Sequence, residues 1–411
     1  MITTLPADAT TTRALDSAPI RLALFTDTYP PQLNGVSRTL ERLVGAVRAR
    51  GGDARVYTTS DPGAGYEPDI WRRPSIPFWA YPQLRLAAPI RGRLADDIRA
   101  WRPTIIHAAT PFGMGLTGRA EARTMGVPLV TSYHTSFSVY AKFYRLGFLS
   151  STAWSYFRWF HNSGARTYVP THAIADELAG VGFERLAVWG RGLEGHRFNP
   201  TWRSNEWRAS LGADDDTIVV AYVGRMAIEK GLDTALAAMH RLVAEPNGKK
   251  YVFAMAGDGP YDEYCRKAAP AGTRFMGRLD GEALSTVFAS SDLFIFPSTT
   301  DTFGNVLLEA MASGVPVIGA DVGPTRELLA GGGGVLFPPG DSAALAETIR
   351  ELAGDRQKRQ ALATAGIASA ANASWDAIFD ELIADYQRVI ADAAAAPAPS
   401  RRMFAGARAG R

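Results

Sequence analysis

FPSTTDTFGNVLLEAMASGVPVIG, residues 296–319, is the stretch whose reading decides the fold. It begins at the end of an apolar run, DLFIF (292–296), crosses a polar loop, takes helical spacing from Gly304 to Ser313, and closes at Gly314 before a second apolar run. Apolar run, polar turn, amphipathic helix and apolar run together make the repeating unit of a parallel sheet covered by helices. In such sheets ligands bind at the carboxyl ends of strands, where this loop lies. Asp301 falls in the loop, and Glu309 follows eight residues later, about a turn and a half into the helix. A carboxylate accepts two sugar hydroxyls at once. Between the two acids, Thr302, Phe303 and Gly304 offer backbone N–H groups at a helix N-terminus, which stabilises phosphate or developing negative charge. Spacing alone is met equally well by a charge at the helix start and a solvated helix glutamate.

The same alternation extends in both directions. Downstream comes GVLFPPGD (334–341); upstream come TIVVAYVG (217–224), YVFAMAG (251–257) and RFMG (274–277). Before a looser, Gly-, Arg- and Trp-rich segment at 185–203, a first series runs RLALF (21–25), ARVYTT, TIIHAA, PLVTSYH and RTYVP, with a helix over 36–50 stopped by Gly51-Gly52. At 411 residues one core is too small a solution. The expectation is an α/β chain of two doubly wound, Rossmann-like domains facing across a cleft, at 20–195 and 196–372, with a final helix at 373–392 returning to the first domain. Residues 1–19 and 393–411 read as disordered tails, the second basic.

Other candidate site residues lie at strand ends. In YVGRMAIEKGLD (222–233), Arg225 and Lys230 stand five apart across a strand-to-helix loop, a spacing that lets both reach a diphosphate, although exposed surface charges fit it too. FTDTYPPQLNGVSRTLERL (25–43) runs strand, Pro-rich loop, Asn34-Gly35, helix, and a glycine there lets backbone N–H groups approach phosphate closely. His134 follows the strand PLVTSY; histidine suits proton handling near neutral pH. FMGRLDGEAL (275–284) and AMAGDGPYDEY (254–264) are further turns after strands. Asp214-Asp215-Asp216 precedes a strand instead of following one and reads as a solvated loop, and no G-x-x-x-x-G-K-[ST] phosphate loop is present.

Composition narrows the class. With 46% apolar and 21% charged residues the chain is globular, not intrinsically disordered. Its single cysteine, Cys265, excludes a disulfide framework within the chain, and the six scattered histidines form no metal-ligand pattern. Residues 1–19 lack the basic start and apolar run of a signal peptide, so a cytoplasmic chain is expected. Residues 1–199 carry 23 Lys/Arg against 15 Asp/Glu, a net +8, whereas the remainder carries 21 against 26, a net −5. In the positive half, 71–102 holds seven arginines against two aspartates with Trp71, Phe78, Trp79 and Tyr81 interleaved. Residues 142–161 add eight aromatics with Lys142, Arg145 and Arg158. That mixture suits peripheral contact with an anionic membrane such as the inner face of the plasma membrane, or a buried domain face. Nucleic acid is not expected as a partner, since the charge is modest.

Taken together, these motifs resemble the retaining glycosyltransferases of family 4, which have the GT-B fold, from about residue 20 to 390. The acidic pair resembles their E-x7-E signature, with Asp301 where the family usually has Glu. The strings TDTFG…LLEA…SG and P-Q-x-N-G-V-S-R-T are similar to a subgroup of GDP-mannose-dependent α-mannosyltransferases and sulfoquinovosyl-diacylglycerol synthases. The resemblance implies that Asp301 contacts donor-sugar hydroxyls and Glu309 the ribose. It implies that Arg225 and Lys230, the family's R-x4-K pair, clamp the diphosphate beside Thr302, Phe303 and Gly304. Gly35 would meet the donor phosphate, assisted by Ser37 and Arg38; His134 would lie against the donor sugar; Gly277, Arg278 and Leu279 would hold the base. No cofactor and no metal is expected. The implied activity is hexosyl transfer, with GDP-mannose as donor and a lipid or glycolipid as acceptor. A UDP-sugar donor with diacylglycerol or a soluble acceptor is the alternative, and a nucleotide-sugar epimerase of the same fold or a catalytically silent glycan- or lipid-binding protein is the rival of another class.

Overall fold

The computed structural model describes residues 19–32, 34–78, 81–88, 92–134, 150–245 and 249–396. Both tails as read, apart from Pro19 and the stretch 393–396, lie outside the described residues, as do Trp79, Lys142 and Arg145.

Two sheets form the frame. The first has seven parallel strands in the order β3-β2-β1-β6-β7-β8-β9. These are β1 (Arg21–Phe25), β2 (Asp53–Thr59), β3 (Ile70–Arg73), β6 (Ile105–Ala108), β7 (Leu129–Ser132), β8 (Arg166–Val169) and β9 (Leu186–Val188). Between β3 and β6, β4 (Ser75–Phe78) and β5 (Tyr81–Ala87) make a separate antiparallel hairpin. The second sheet has six parallel strands in the order β12-β11-β10-β13-β14-β15. They are β10 (Ile218–Val223), β11 (Tyr251–Ala256), β12 (Arg274–Phe275), β13 (Leu293–Phe296), β14 (Val317–Ala320) and β15 (Gly334–Phe337). Strands β6, β7, β10, β11, β13 and β14 are buried along their whole length, which is why they read as unbroken apolar runs.

Strand order reverses at β1/β6 in the first sheet and at β10/β13 in the second. These switch points open crevices at the carboxyl ends of the strands, and the loops leaving all four strands line one cleft between the sheets.

Three features differ from the sequence reading. The segment 185–203 is not all connection, because β9 is its first part and completes the first sheet. The β4–β5 hairpin left no apolar run to read: β4 is buried at none of its four residues, and Ile76 is 72% exposed. The last helix runs Trp375–Ala395, beyond the expected end at 392. Its Phe379, Leu382, Tyr386 and Val389 enter the first domain's core beside Leu40, Leu43 and Val44 of the helix Gly35–Ala49. Arg50 ties the same two helices through Asp380 at 2.6 Å. The chain therefore crosses between domains twice, near 190–199 and near 372–375. The crossings touch: the Leu193 N–H donates to the Ala373 carbonyl at 2.8 Å, and a Cβ on Gly192 would lie 2.5 Å from the Trp375 ring.

Candidate active site

The loops at the two switch points enclose a cleft of about 890 Å³. Its second-domain wall is built by close backbone approach. Gly231 is left-handed at φ 69°, and a Cβ there would stand 2.4 Å from the Pro297 carbonyl oxygen, so only glycine lets the loop after β10 pack on the loop after β13. The Thr300 hydroxyl reinforces this contact by donating to the Glu229 carbonyl at 3.3 Å. The packing delivers Lys230 to Asp301: Nζ and Oδ1 are 2.6 Å apart, with the side chains 14% and 25% exposed. The other Asp301 oxygen, Oδ2, is buried without a hydrogen-bond partner. Arg225 lies 3.6 Å from the Glu229 carboxylate, which is wholly buried. The two cations that the spacing singled out are thus each held by an acid, and Lys230 shares its acid with the proposed sugar site.

Glu309 sits half-buried on the helix Asn305–Ala312. Burial pushes its carboxyl up to about 7, against the pull of Arg197, Arg38 and Arg42. Those arginines belong to a charge network spanning the cleft. Asp280 meets Arg38 at 3.1 Å and Arg197 at 2.8 Å, while Glu194 meets Arg197 at 2.9 Å and also pairs with Arg42. Arg278 and Leu279 face the cleft nearby. Gly277 stands behind them, its carbonyl accepting the Gly257 N–H at 2.7 Å.

Across the cleft, Gly35 starts its helix opposite Asn305, and a Cβ on Gly35 would come no nearer than 3.9 Å, to Asn305 Nδ2. Asn34 caps this helix by accepting the Ser37 N–H at 2.8 Å. Ser37 is fully buried and does not line the cleft, so the sequence reading that it assists at a phosphate is corrected: its position serves the helix interior. Arg38, one residue on, does line it.

His134 joins the walls: its carbonyl accepts the Thr302 hydroxyl at 2.9 Å. Arg191 Nη2 stands 2.8 Å from its Nδ1. Because a guanidinium only donates, Nδ1 must be the acceptor, which places the ring proton on Nε2, buried without a partner. Burial, together with Arg191, drives the imidazole well below its ordinary pKa. His134 is therefore a neutral hydrogen-bond donor at physiological pH, suited to a sugar oxygen.

Except for Gly277 and Ser37, every candidate named from sequence lines this one cleft: Gly35, Arg38, His134, Arg225, Arg278, Leu279, Lys230, Asp301, Thr302, Phe303, Gly304 and Glu309. Sequence reasoning missed Arg85, Arg191, Glu194, Arg197 and Asp258 as wall residues. For Arg191, Glu194 and Arg197 the available signal was the aperiodic composition of the 185–203 segment.

Comparison with known proteins bears on this arrangement. Residues 33–196 match the family model described as Glycosyltransferase Family 4, and 203–369 the model described as Glycosyl transferases group 1. The sulfoquinovosyl transferase SQD2 of Arabidopsis thaliana is 33% identical over 375 residues, covering 88% of this chain and 72% of that protein. The GDP-mannose-dependent alpha-mannosyltransferase of Mycobacterium tuberculosis is 32% identical over 383 residues, covering 90% and 97%. The chain belongs to glycosyltransferase family 4. It is a hexosyltransferase, and this family 4 transferase has the GT-B fold. Sucrose-phosphate synthase from Thermosynechococcus elongatus superposes on it with a TM-score of 0.72 at 20% identity, over 91% of this chain and all of that one.

Proposed function

We propose that this transferase moves mannose from GDP-mannose, with retention at the anomeric carbon, to a hydroxyl of a lipid or glycolipid. The observation that carries the reading is the convergence of Arg225, Lys230, Asp301 and Glu309 on one cleft between the domains. The donor lies with its diphosphate against Lys230, Arg225 and the N–H groups around Gly304, and with its ribose on Glu309. Asp301 Oδ2 and His134 Nε2–H, both buried and lacking partners, meet sugar hydroxyls as acceptor and donor respectively. Gly35 approaches the diphosphate from the other wall. The bond from the anomeric carbon to the diphosphate oxygen breaks as the acceptor oxygen bonds to that carbon, and the leaving phosphate takes the acceptor's proton. Arg225 and Lys230 supply the charge that stabilises the leaving group, so no metal is needed.

A lipid acceptor accords with the first domain's surface, where Ile76 is 72% and Trp159 49% exposed and Arg119 stacks on Trp159 at 4.0 Å. Among the described residues no helix is long and apolar enough to cross a membrane. A second reading, UDP-sulfoquinovose with diacylglycerol, is favoured by Arg191. This buried guanidinium has no carboxylate within ion-pair distance among the described residues, and beside His134 it would meet a sulfonate.

The test incubates purified protein with labelled GDP-mannose, and separately with labelled UDP-sugars, in the presence of extracted lipids. Label entering the organic phase from GDP-mannose is the expected result. Transfer from a UDP-sugar alone would end the mannosyl reading, and conversion of donor to an isomer without acceptor would make the protein an epimerase.

A further inference from the structure

Among the described residues eight cations line the cleft, and five of them lie within 4 Å of a carboxylate in the pairs given above. The other three are Arg191, whose guanidinium bonds His134 and the Trp189 and Gly190 carbonyls, Arg278 beside the proposed base site, and Arg85. Arg85 belongs to β5, on the first-domain wall that the donor residues face. It has no carboxylate partner among the described residues, although Asp61 lies on the same wall.

The guanidinium of Arg85 is held in one plane by a single residue across the hairpin. Its Nε donates to Ser75 Oγ at 3.0 Å and its Nη2 to the Ser75 carbonyl at 2.8 Å. Ser75 is fixed in turn, its hydroxyl donating to the Ser60 carbonyl at 2.8 Å. These bonds consume the side edge of the fork and leave the end edge, Nη1 with the second N–H of Nη2, without a partner among the described residues. A planar end edge matches two oxygens of a phosphate group. A fixed, half-buried cation without an acid costs desolvation and side-chain entropy, which an anionic ligand offsets.

We propose that Arg85 is a specificity-determining residue that binds a phosphate ester on the acceptor, so that the transferase prefers phosphorylated acceptors over neutral ones. The proposal deepens the reading above and rests on it for the assignment of this wall to the acceptor. The net +8 of residues 1–199 favours the same class of acceptor. The phosphate can belong to a lipid headgroup or to a soluble phosphate ester, and the experiment separates the two.

Wild type, Arg85→Gln and Arg85→Lys are compared in two assays. In the first, calorimetry follows glycerol 3-phosphate binding with saturating GDP present to fill the diphosphate site. Wild type is expected to bind, Arg85→Gln about tenfold more weakly, and Arg85→Lys in between because it keeps the charge but loses the fork. In the second, labelled nucleotide sugars are supplied with phosphatidylglycerol, diacylglycerol or glycerol 3-phosphate in neutral detergent micelles. The KM for the phosphorylated acceptor should rise about tenfold in Arg85→Gln while the donor KM moves less than about twofold. Phosphatidylglycerol as acceptor identifies a headgroup source and glycerol 3-phosphate a free ester; either supports the proposal. Wild type preferring diacylglycerol overturns it. If no nucleotide sugar yields any transfer, the proposed function fails, and the calorimetry still decides the role of Arg85: equal binding by wild type and Arg85→Gln, or none by wild type, overturns it.

Discussion

The two walls of the cleft solve their electrostatics differently. On the second-domain wall charges come in pairs: Lys230 with Asp301 at 2.6 Å, and Arg225 with a wholly buried Glu229 at 3.6 Å. On the first-domain wall Arg38 and Arg42 are paired too, with Asp280 and Glu194, but Arg85 has backbone and hydroxyl partners only, and Gly35 offers bare backbone. A paired wall keeps its cations ordered until a diphosphate takes over one partner, and the acid released is then available to the sugar. An unpaired cation such as Arg85 is a fixed field waiting for a negative charge. On the proposed function, the contrast makes donor recognition an exchange of partners and acceptor recognition an addition.

The hardest blow to that contrast comes from Lys230→Ala. Removing the cation is expected to lower kcat/KM about 10³-fold, roughly 4 kcal/mol of transition-state stabilisation, with the thermal unfolding midpoint little changed. Near-normal turnover would show that the paired wall is structural only. Gly35→Ala probes the bare wall. A Cβ there meets nothing closer than 3.9 Å, so stability should stay within about 0.5 kcal/mol of wild type. Transfer should nevertheless fall about tenfold, if the methyl holds a phosphate off the helix start. Loss of stability in a denaturant titration, with activity per folded molecule retained, would assign Gly35 to the backbone instead.

A smaller effect comes from pH. The Glu309 carboxyl titrates at about 7, above its ordinary value of 4.5, because burial favours the neutral form. Ribose binding through two accepted hydroxyls needs the carboxylate, so the donor KM should rise as pH falls through 7, up to about tenfold per unit, and Glu309→Gln should flatten the profile. For stability the sign is opposite. A carboxyl raised on folding stabilises the fold fully below its unfolded pKa, and that contribution is lost as pH rises from about 4.5 to 7. A donor KM flat between pH 6 and 8 in the wild type would remove Glu309 from ribose binding. The smallest expected effect is that of EDTA, which should change transfer by less than about twofold, since paired cations replace a metal at the diphosphate.

Much of the second-domain wall was legible in the sequence because its signals are local. Asp301, Gly304 and Glu309 lie within one strand-loop-helix unit, and Arg225 and Lys230 within another; each spacing alone also fitted surface charges, and the resemblance of the motifs to family 4 decided between the readings. The first-domain wall was legible only at Gly35, Arg38 and His134. Arg85 acquires its meaning from Ser75 across a hairpin and from Ser60 beyond it, contacts that no periodicity encodes. Its strand β4 is buried at none of its four residues and lacks the apolar run that marked the sheets. Arg191 was equally hidden: its tie to His134 spans 57 residues and sets a tautomer, which spacing does not express. The buried position of Ser37 followed from helical phase, three residues from its cap, and motif matching overlooked it.

Because the two interdomain crossings run side by side, joined by the Leu193–Ala373 hydrogen bond, the halves hang on adjacent pins instead of a single thread. Twisting one half against the other would shear that bond, whereas bending about the pins preserves it. The returning helix Trp375–Ala395 braces the helix Gly35–Ala49 within the same core, so the span that holds Gly35 opposite Asn305 is tied to the joint itself.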